Sequence, residues 1–325
     1  QGFRDAWVDH LKALPEWAID PDWIVPVAGV VPAMRMALMA HPEVTDVITP
    51  TPIYPYFRSI PALEARRHHP VALTQESRSP YASLGCDHSA IAQALAACQG
   101  PSAIFWCNPQ NPGGTVYDSA FIRDLIGQAA EVQSLLVSDE IWADLRLNAT
   151  PHCPLGREAP IDQPTITLMA ATKTFNVAGF ACAVAIIPEP QTRHRFEHLQ
   201  QAMPHVTPLA AQITEACLRE GWEWHADLLD ALRANRNAVF QWAKKHPELT
   251  LSLGDASFLA WFETPYLDPD AILAERGVRV SGGRAFGNPQ CFRLNFGCSP
   301  ATLDTALARI DRGLEFLAQD GESHD

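Results

Sequence analysis

Three polar side chains stand in places where this sequence is otherwise apolar. Lys173 lies between apolar stretches at residues 165–169 and 181–187, in the string Thr172-Lys-Thr-Phe-Asn-Val-Ala-Gly. Lysine is seldom buried without a task. Desolvation favours its free amine, the form that attacks a carbonyl carbon and makes an imine. The plain alternative is a surface lysine in a turn. Asp139 closes the apolar run Leu135-Leu-Val-Ser-Asp, where an acid ordinarily caps a helix or pairs with a base. Asn111 follows the apolar run at residues 103–107, inside Asn108-Pro-Gln-Asn-Pro-Gly-Gly. Two Asn-Pro steps and two glycines stiffen that turn and hold the Asn111 amide in one place.

Taken singly, each residue has an ordinary explanation; taken together they have a specific use. Each follows a strand of one α/β unit, and strand ends in such a unit converge on a single crevice. An aldehyde cofactor on a pyridine ring needs an amine for the imine, an acid to keep the ring nitrogen protonated, and a donor for the ring oxygen. That is the inventory for pyridoxal 5′-phosphate. Gly29 adds a strand–glycine–helix junction with Pro32 in the helix's first turn, an arrangement that offers N–H groups and a positive dipole end to phosphate. An ordinary strand-to-helix connection has the same form. Tyr54, among three aromatics in Thr51-Pro-Ile-Tyr-Pro-Tyr-Phe, can face a planar cofactor or pack into the core.

Hydrophobic periodicity supplies the elements that must position these groups. A helix is expected over residues 3–14, with Trp7, Leu11 and Leu14 on one face and Pro15 ending it. Strands are expected at 22–27, 44–50, 103–107, 135–141, 165–169 and 181–187. Helices are expected at 28–39, 89–98 (capped by Asp87 or Ser89) and 119–131, with residues 80–88 as a loop. From Arg193 onward helical patterns dominate, clearest at 210–220 and 224–245, the second long enough to bridge two lobes. Strands at 249–253, 258–262, 278–280 and 291–296 and a helix over 302–317 follow. This order implies an α/β unit with a smaller α+β lobe packed on it. No internal repeat or low-complexity segment is present.

The strings Asn111-Pro-Gly-Gly, Ser138-Asp-Glu-Ile and Thr172-Lys-Thr-Phe-Asn-Val-Ala-Gly resemble the class I/II aminotransferase family of fold-type I pyridoxal-phosphate enzymes. Pro21-Asp-Trp-Ile-Val-Pro-Val, Gly29-Val-Val-Pro, Ser138-Asp-Glu-Ile-Trp-Ala-Asp-Leu and Phe292-Arg-Leu-Asn-Phe-Gly-Cys are similar to its MalY/PatB branch, the cystathionine β-lyase-like C–S lyases. The match runs in order along nearly the whole chain. It implies a large α/β domain with a mainly parallel seven-stranded sheet (21–225) after an N-terminal helix (1–20), and a smaller C-terminal α+β domain (226–325). It also implies roles. Lys173 becomes the imine-forming lysine and the base that moves the α-proton, Asp139 the partner of the pyridinium nitrogen, Asn111 the donor to the ring oxygen, and Tyr54 the ring-stacking residue. Gly29, Val30 and Thr172 become phosphate ligands, and Arg293 the bidentate holder of the substrate α-carboxylate.

Departures from the family pattern accompany the match. Trp142, three residues after Asp139 and by the resemblance a cofactor-binding position, stands where aminotransferases usually have tyrosine and many members of the lyase branch have histidine. Ala181 stands where aminotransferases commonly place a phosphate-binding arginine. The family's N-terminal segment is expected to be missing or altered before Phe3, and the first residue is Gln1 rather than Met. The resemblance implies a homodimer acting on a small amino acid, by β-elimination from cystathionine or another cysteine S-conjugate. Transamination is the alternative, with Arg284 as a candidate second substrate-reading arginine, and a catalytically silent relative is a third. Composition sets the outer bounds. The chain has 325 residues, 47% hydrophobic and 19% charged, and a formal charge of −13, which disfavours nucleic acid and anionic membrane as partners. Eight scattered cysteines without a CxxC pair read as core residues of a reducing compartment, with no metal-ligand set among them, and no apolar run is long enough to span a bilayer. A cytoplasmic protein is the expectation.

Overall fold

The computed structural model describes residues 2–12, 17–77 and 81–322. Along the chain these form α1 (Gly2–Lys12), β1 (Ile24–Val27), α2 (Val30–Ala40), β2 (Asp46–Thr51), α3 (Pro55–Leu63), β3 (Arg67–Ala72), β4 (Thr74–Ser77), β5 (Ala82–Gly85), α4 (His88–Ala96), β6 (Ser102–Cys107), α5 (Ser119–Glu131) and β7 (Leu135–Asp139). There follow α6 (Leu155–Glu158), β8 (Thr165–Met169), α7 (Ala171–Thr174), β9 (Ala183–Ile186), α8 (Pro190–Gln200), α9 (Pro208–Glu220), α10 (Trp222–Ala243), β10 (Thr250–Ser252), β11 (Leu259–Glu263), α11 (Pro269–Glu275), β12 (Ser281–Gly282), β13 (Cys291–Asn295) and α12 (Pro300–Glu322).

Strands β6, β7 and β8 are buried along their whole length, as continuous apolar runs require when both faces of a sheet are covered. They lie at the centre of a seven-stranded sheet of order β1-β9-β8-β7-β6-β2-β3. From β3 to β8 every pairing is parallel, while β9 runs antiparallel to both β8 and β1. Two reversals return β1 to the common direction, so β1, β2, β6, β7 and β8 all end on one rim. One face is covered by α2, α3 and α8, around Phe57, Phe105 and Phe196. The other is covered by α4 and α5, around Ile91, Trp106 and Ile122.

The second sheet, β10-β11-β13-β12, is antiparallel throughout. It packs on α10 and α12 through Leu232, Val239, Phe262, Phe292 and Ile310. Helix α10 spans both parts: His225 Nε2 lies 2.9 Å from the Asp144 carbonyl, while Val239 sits in the core of the smaller sheet. A main-chain seam joins the two. Gly254 N donates to Gly113 O at 2.8 Å and Ala256 N to Gly114 O at 3.0 Å. A side chain at Gly254 would put its Cβ 2.1 Å from the Gly114 carbonyl carbon, and Gly114 itself has φ +73, so both positions need glycine.

The structure departs from the sequence expectations at several points. Helix α1 is described to Lys12; Leu14 and Pro15 lie outside the described residues. Residues 82–85 are a strand (β5) paired with β4 in place of a loop, and 278–280 form no strand, the pairing falling instead on Ser281 and Gly282. The proline-stiffened stretch after β2 turns helical at Pro55 and buries Phe57 completely. Asp87, not Ser89, caps α4, accepting from Ser89 N at 2.8 Å.

Candidate active site

Five strand ends on one rim bring their following residues together. A cleft of about 350 Å³ there is lined by Gly29, Val30, Tyr54, Asn111, Asp139, Trp142, Thr172, Lys173 and Arg293, the nine residues singled out from sequence. Lys173 is on the single turn α7 that follows β8. Burial and the nearby Arg293 guanidinium lower its pKa, and Asp139 opposes them by raising it.

Asp139 ends β7 opposite Cys107 of β6 and Leu168 of β8. Ile141 N donates to its Oδ1 at 3.1 Å, and its second oxygen has no donor among the described residues. Burial, the first cause, pushes the carboxyl up to about 7; the charge of Glu140 adds to this, while the Ile141 hydrogen bond and Lys173 pull it down. Glu140 itself turns away, held by Ser138 Oγ at 2.8 Å, Leu155 N at 2.9 Å and His152 Nε2 at 2.7 Å.

The turn after β6 is braced from within. Gln110, fully buried, accepts from Gly113 N at 2.6 Å and donates to Pro52 O at 2.8 Å. Asn111 O accepts from Tyr54 N at 3.1 Å, so one turn places both the amide and the tyrosine. Asn111 Oδ1 accepts from Arg293 Nη1 at 2.9 Å, which leaves the amide nitrogen free to donate into the cleft. Arg293 reaches over from β13, and its Nη2 donates to Ser281 Oγ at 3.2 Å. Its Nε is buried without a partner. Burial lowers its pKa, against the raising influence of Tyr54.

Gly29, with φ +124, opens α2 and leaves the first N–H groups of that helix facing the cleft. Trp142 meets Phe258 edge to face at 4.8 Å, and Lys173 Nζ is 5.8 Å from the Trp142 ring centroid.

Arg284 is a correction. It is exposed, forms a two-pronged pair with Asp268 at 2.9 and 2.5 Å, and is not part of the cleft lining. Phe258, which lines the cleft, and Ser281, which lies outside the lining and holds Arg293, were not foreseen as site residues. Ser281 owes its place to the register of the smaller sheet, in which it lies opposite Arg293, and register is not legible in one sequence.

A family model for aminotransferase class I and II matches residues 2–310. The chain belongs to that family. Among curated members, cystathionine β-lyase PatB of Bacillus subtilis is 29% identical over 331 residues, covering 97% of this chain and 83% of its own. The crystal structure of OvoB superimposes with TM-score 0.90 at 33% identity, covering 96% of this chain and 83% of that one. Cystalysin from Treponema denticola, described as containing a pyridoxal 5′-phosphate cofactor, superimposes with TM-score 0.89 at 25% identity, over 97% and 82% of the two chains. The superpositions on these two structures therefore extend over nearly all of this aminotransferase-family chain. No helix among its described residues is long and apolar enough to cross a membrane.

Proposed function

We propose that the chain is a pyridoxal 5′-phosphate-dependent C–S lyase that removes a thiol from the β-carbon of a cysteine S-conjugate, cystathionine-like in class. The observation that carries this reading is the set of unmet valences facing one cleft: an Asp139 oxygen without a donor, an Asn111 amide nitrogen without an acceptor, and a buried Arg293 Nε without an anion. A protonated pyridine ring bearing an oxygen, together with a substrate carboxylate, supplies the missing partner of each. The names of the curated relatives, cystathionine β-lyases among them, support the reaction class.

In this assignment Lys173 would hold the cofactor through its aldehyde and Asp139 through the ring nitrogen. Asn111 would donate to the ring oxygen, and the Tyr54 and Trp142 rings would flank the cofactor. The N–H groups of Gly29 and Val30 and the Thr172 hydroxyl would hold the phosphate. Bound there, the cofactor supplies a conjugated ring that stores the electron pair left when the substrate's α-proton departs. Arg293 binds the α-carboxylate as a planar fork, oriented by Asn111 and Ser281. The lowered pKa of Lys173 suits it to take the α-proton once its amine is free. Trp142 and Phe258, in edge-to-face contact, form an apolar part of the cleft wall.

Two copies of the chain form the working unit in this reading. An apolar groove beside the cleft, with Val31, Pro32, Met36, Met39, Tyr56 and Leu63 in its walls, supports it; sedimentation of the purified chain tests it, and a monomer at micromolar concentration would refute it. The reaction is tested with the cofactor-loaded protein and L-cysteine conjugates, L-cystathionine included. Pyruvate and free thiol without added keto acid are expected. Amino-group transfer only when a keto acid is supplied would replace the proposal with a transaminase, and Lys173→Ala should abolish both the imine absorbance and turnover.

A further inference from the structure

Lys173 stands on the single helical turn α7, which has few hydrogen bonds of its own: Phe175 N donates to Ala171 O and Val177 N to Thr172 O, both at 3.0 Å. So short a helix does not keep its shape unaided. Its side chains must be fastened from outside.

The two residues that follow Lys173 are fastened to one cluster. Thr174, fully buried, donates its hydroxyl to Asp144 Oδ2 at 3.2 Å. Phe175 meets Trp222 edge to face, with ring centroids 5.2 Å apart. His10 of α1 joins Asp144 to Trp222. Its Nε2 lies 3.2 Å from Asp144 Oδ1, an ion pair without hydrogen-bond alignment, and its ring stacks on Trp222 at 5.0 Å. Thr174, Asp144, His10, Trp222 and Phe175 thus close a ring of contacts that begins and ends on neighbouring residues. Every link is made within one copy of the chain, and no member of the ring lines the groove proposed above to join two copies.

Charge supports the ring. The His10 and Asp144 side chains are only 7% and 12% exposed. Burial opposes a charge on His10, yet the Asp144 carboxylate outweighs it and raises the pKa of the imidazole. Burial opposes the Asp144 charge too, and His10, with His225 and the Thr174 hydroxyl, holds that carboxyl below its ordinary value. The Asp144 carbonyl is fixed as well, 2.9 Å from His225 Nε2. Asp144 belongs to the bend that starts at Asp139 and carries Trp142. Its bond to Thr174 therefore ties the stretch bearing the acid to the turn bearing the amine.

We propose that His10, Asp144 and Thr174 are positioning residues, and that the ring they close with Trp222 and Phe175 sets where the Lys173 amine stands relative to Asp139. The assignment rests on the cofactor role proposed above for Lys173 and is the same for elimination and for transamination.

Hydrogen exchange in the cofactor-free chain reads the ring directly. Thr174→Val keeps the shape of the side chain and deletes its donor, while His10→Gln opens the ring on its far side. Each is expected to speed exchange at the Phe175 and Val177 N–H groups about tenfold and to leave Ile166 and Leu168 of β8 unchanged. Thr174→Ser should restore the parent rates. The double variant should gain less than the product of the two single effects, because either break opens the same ring. With pyridoxal 5′-phosphate added, Thr174→Val should form the imine about tenfold more slowly, whereas its affinity for pyridoxine 5′-phosphate, which has no aldehyde, should stay within about twofold of the parent. Unchanged exchange at Phe175 and Val177, single effects that simply multiply, or a loss of pyridoxine 5′-phosphate affinity as large as the loss in imine rate overturns the proposal. A parent chain that forms no imine refutes the cofactor chemistry instead, and the exchange rates then still decide whether the ring holds the turn.

Discussion

Replacing Asp139 with asparagine should stabilise the cofactor-free chain at alkaline pH and weaken the hold on the cofactor. The carboxyl's pKa is raised from 3.8 to about 7 in the folded chain, chiefly by burial. The folded state therefore binds this proton more tightly than the unfolded state, and the group's contribution to stability falls as pH rises from about 4 through about 7. A shift of roughly three units corresponds to about 4 kcal/mol of destabilisation once the carboxylate is fully ionised, above about pH 8. Asparagine removes that penalty and keeps an oxygen for the Ile141 N–H, but it buries an amide nitrogen without a partner, at a cost of about 1–3 kcal/mol. The balance is a variant more stable than the parent by about 1–3 kcal/mol at pH 8, and equal or less stable near pH 4. Urea unfolding of the cofactor-free proteins at several pH values measures it. With cofactor present the order should reverse, because the pyridinium loses its anionic partner. A stability difference that does not change with pH, or a cofactor-free parent more stable than the variant at pH 8, would refute the electrostatic account of Asp139.

Two further substitutions probe the smaller sheet's part in the site. Arg293→Lys keeps the charge but loses the fork that spans Asn111 and Ser281; KM for the amino acid substrate should rise about tenfold or more, and an unchanged KM would remove Arg293 from carboxylate binding. Gly254→Ala drives a Cβ to within 2.1 Å of the Gly114 carbonyl carbon. It should cost about 1–3 kcal/mol by thermal or urea unfolding, and a neutral effect would mean that the seam yields.

The central sheet was legible because β6, β7 and β8 are unbroken apolar runs with turn residues behind them, and burial on both faces leaves such runs no other use. The three polar residues at their ends were legible for the converse reason, being polar where the pattern is not. Strand β3, Arg67-His-His-Pro-Val-Ala, was not foreseen: as the outermost strand of the sheet it is partly exposed, carries a proline and shows no alternation. What holds it is side-chain chemistry, Arg67 and His69 both reaching the buried Asp46 at 2.6 and 2.7 Å, a pairing that needs coordinates to be seen. Arg284 misled for a related reason. Its glycine-rich neighbourhood suggests a ligand loop, yet the partner that claims its charge, Asp268, lies 16 residues upstream.

The seam between Gly113-Gly114 and residues 254–256 also bears on how this chain can be recombined with its relatives. On its other side the same segment is tied to the larger unit by Leu147 N to Asp255 O at 2.7 Å and Ser257 N to Leu145 O at 2.8 Å. A chimera that imports the smaller sheet alone inherits one half of a stitched joint cut for another cloth. Transplants that carry the Asn111 turn, the stretch around Leu145 and residues 253–258 as one cassette keep the amide and the guanidinium at their native spacing, and with it the ability to grip a carboxylate.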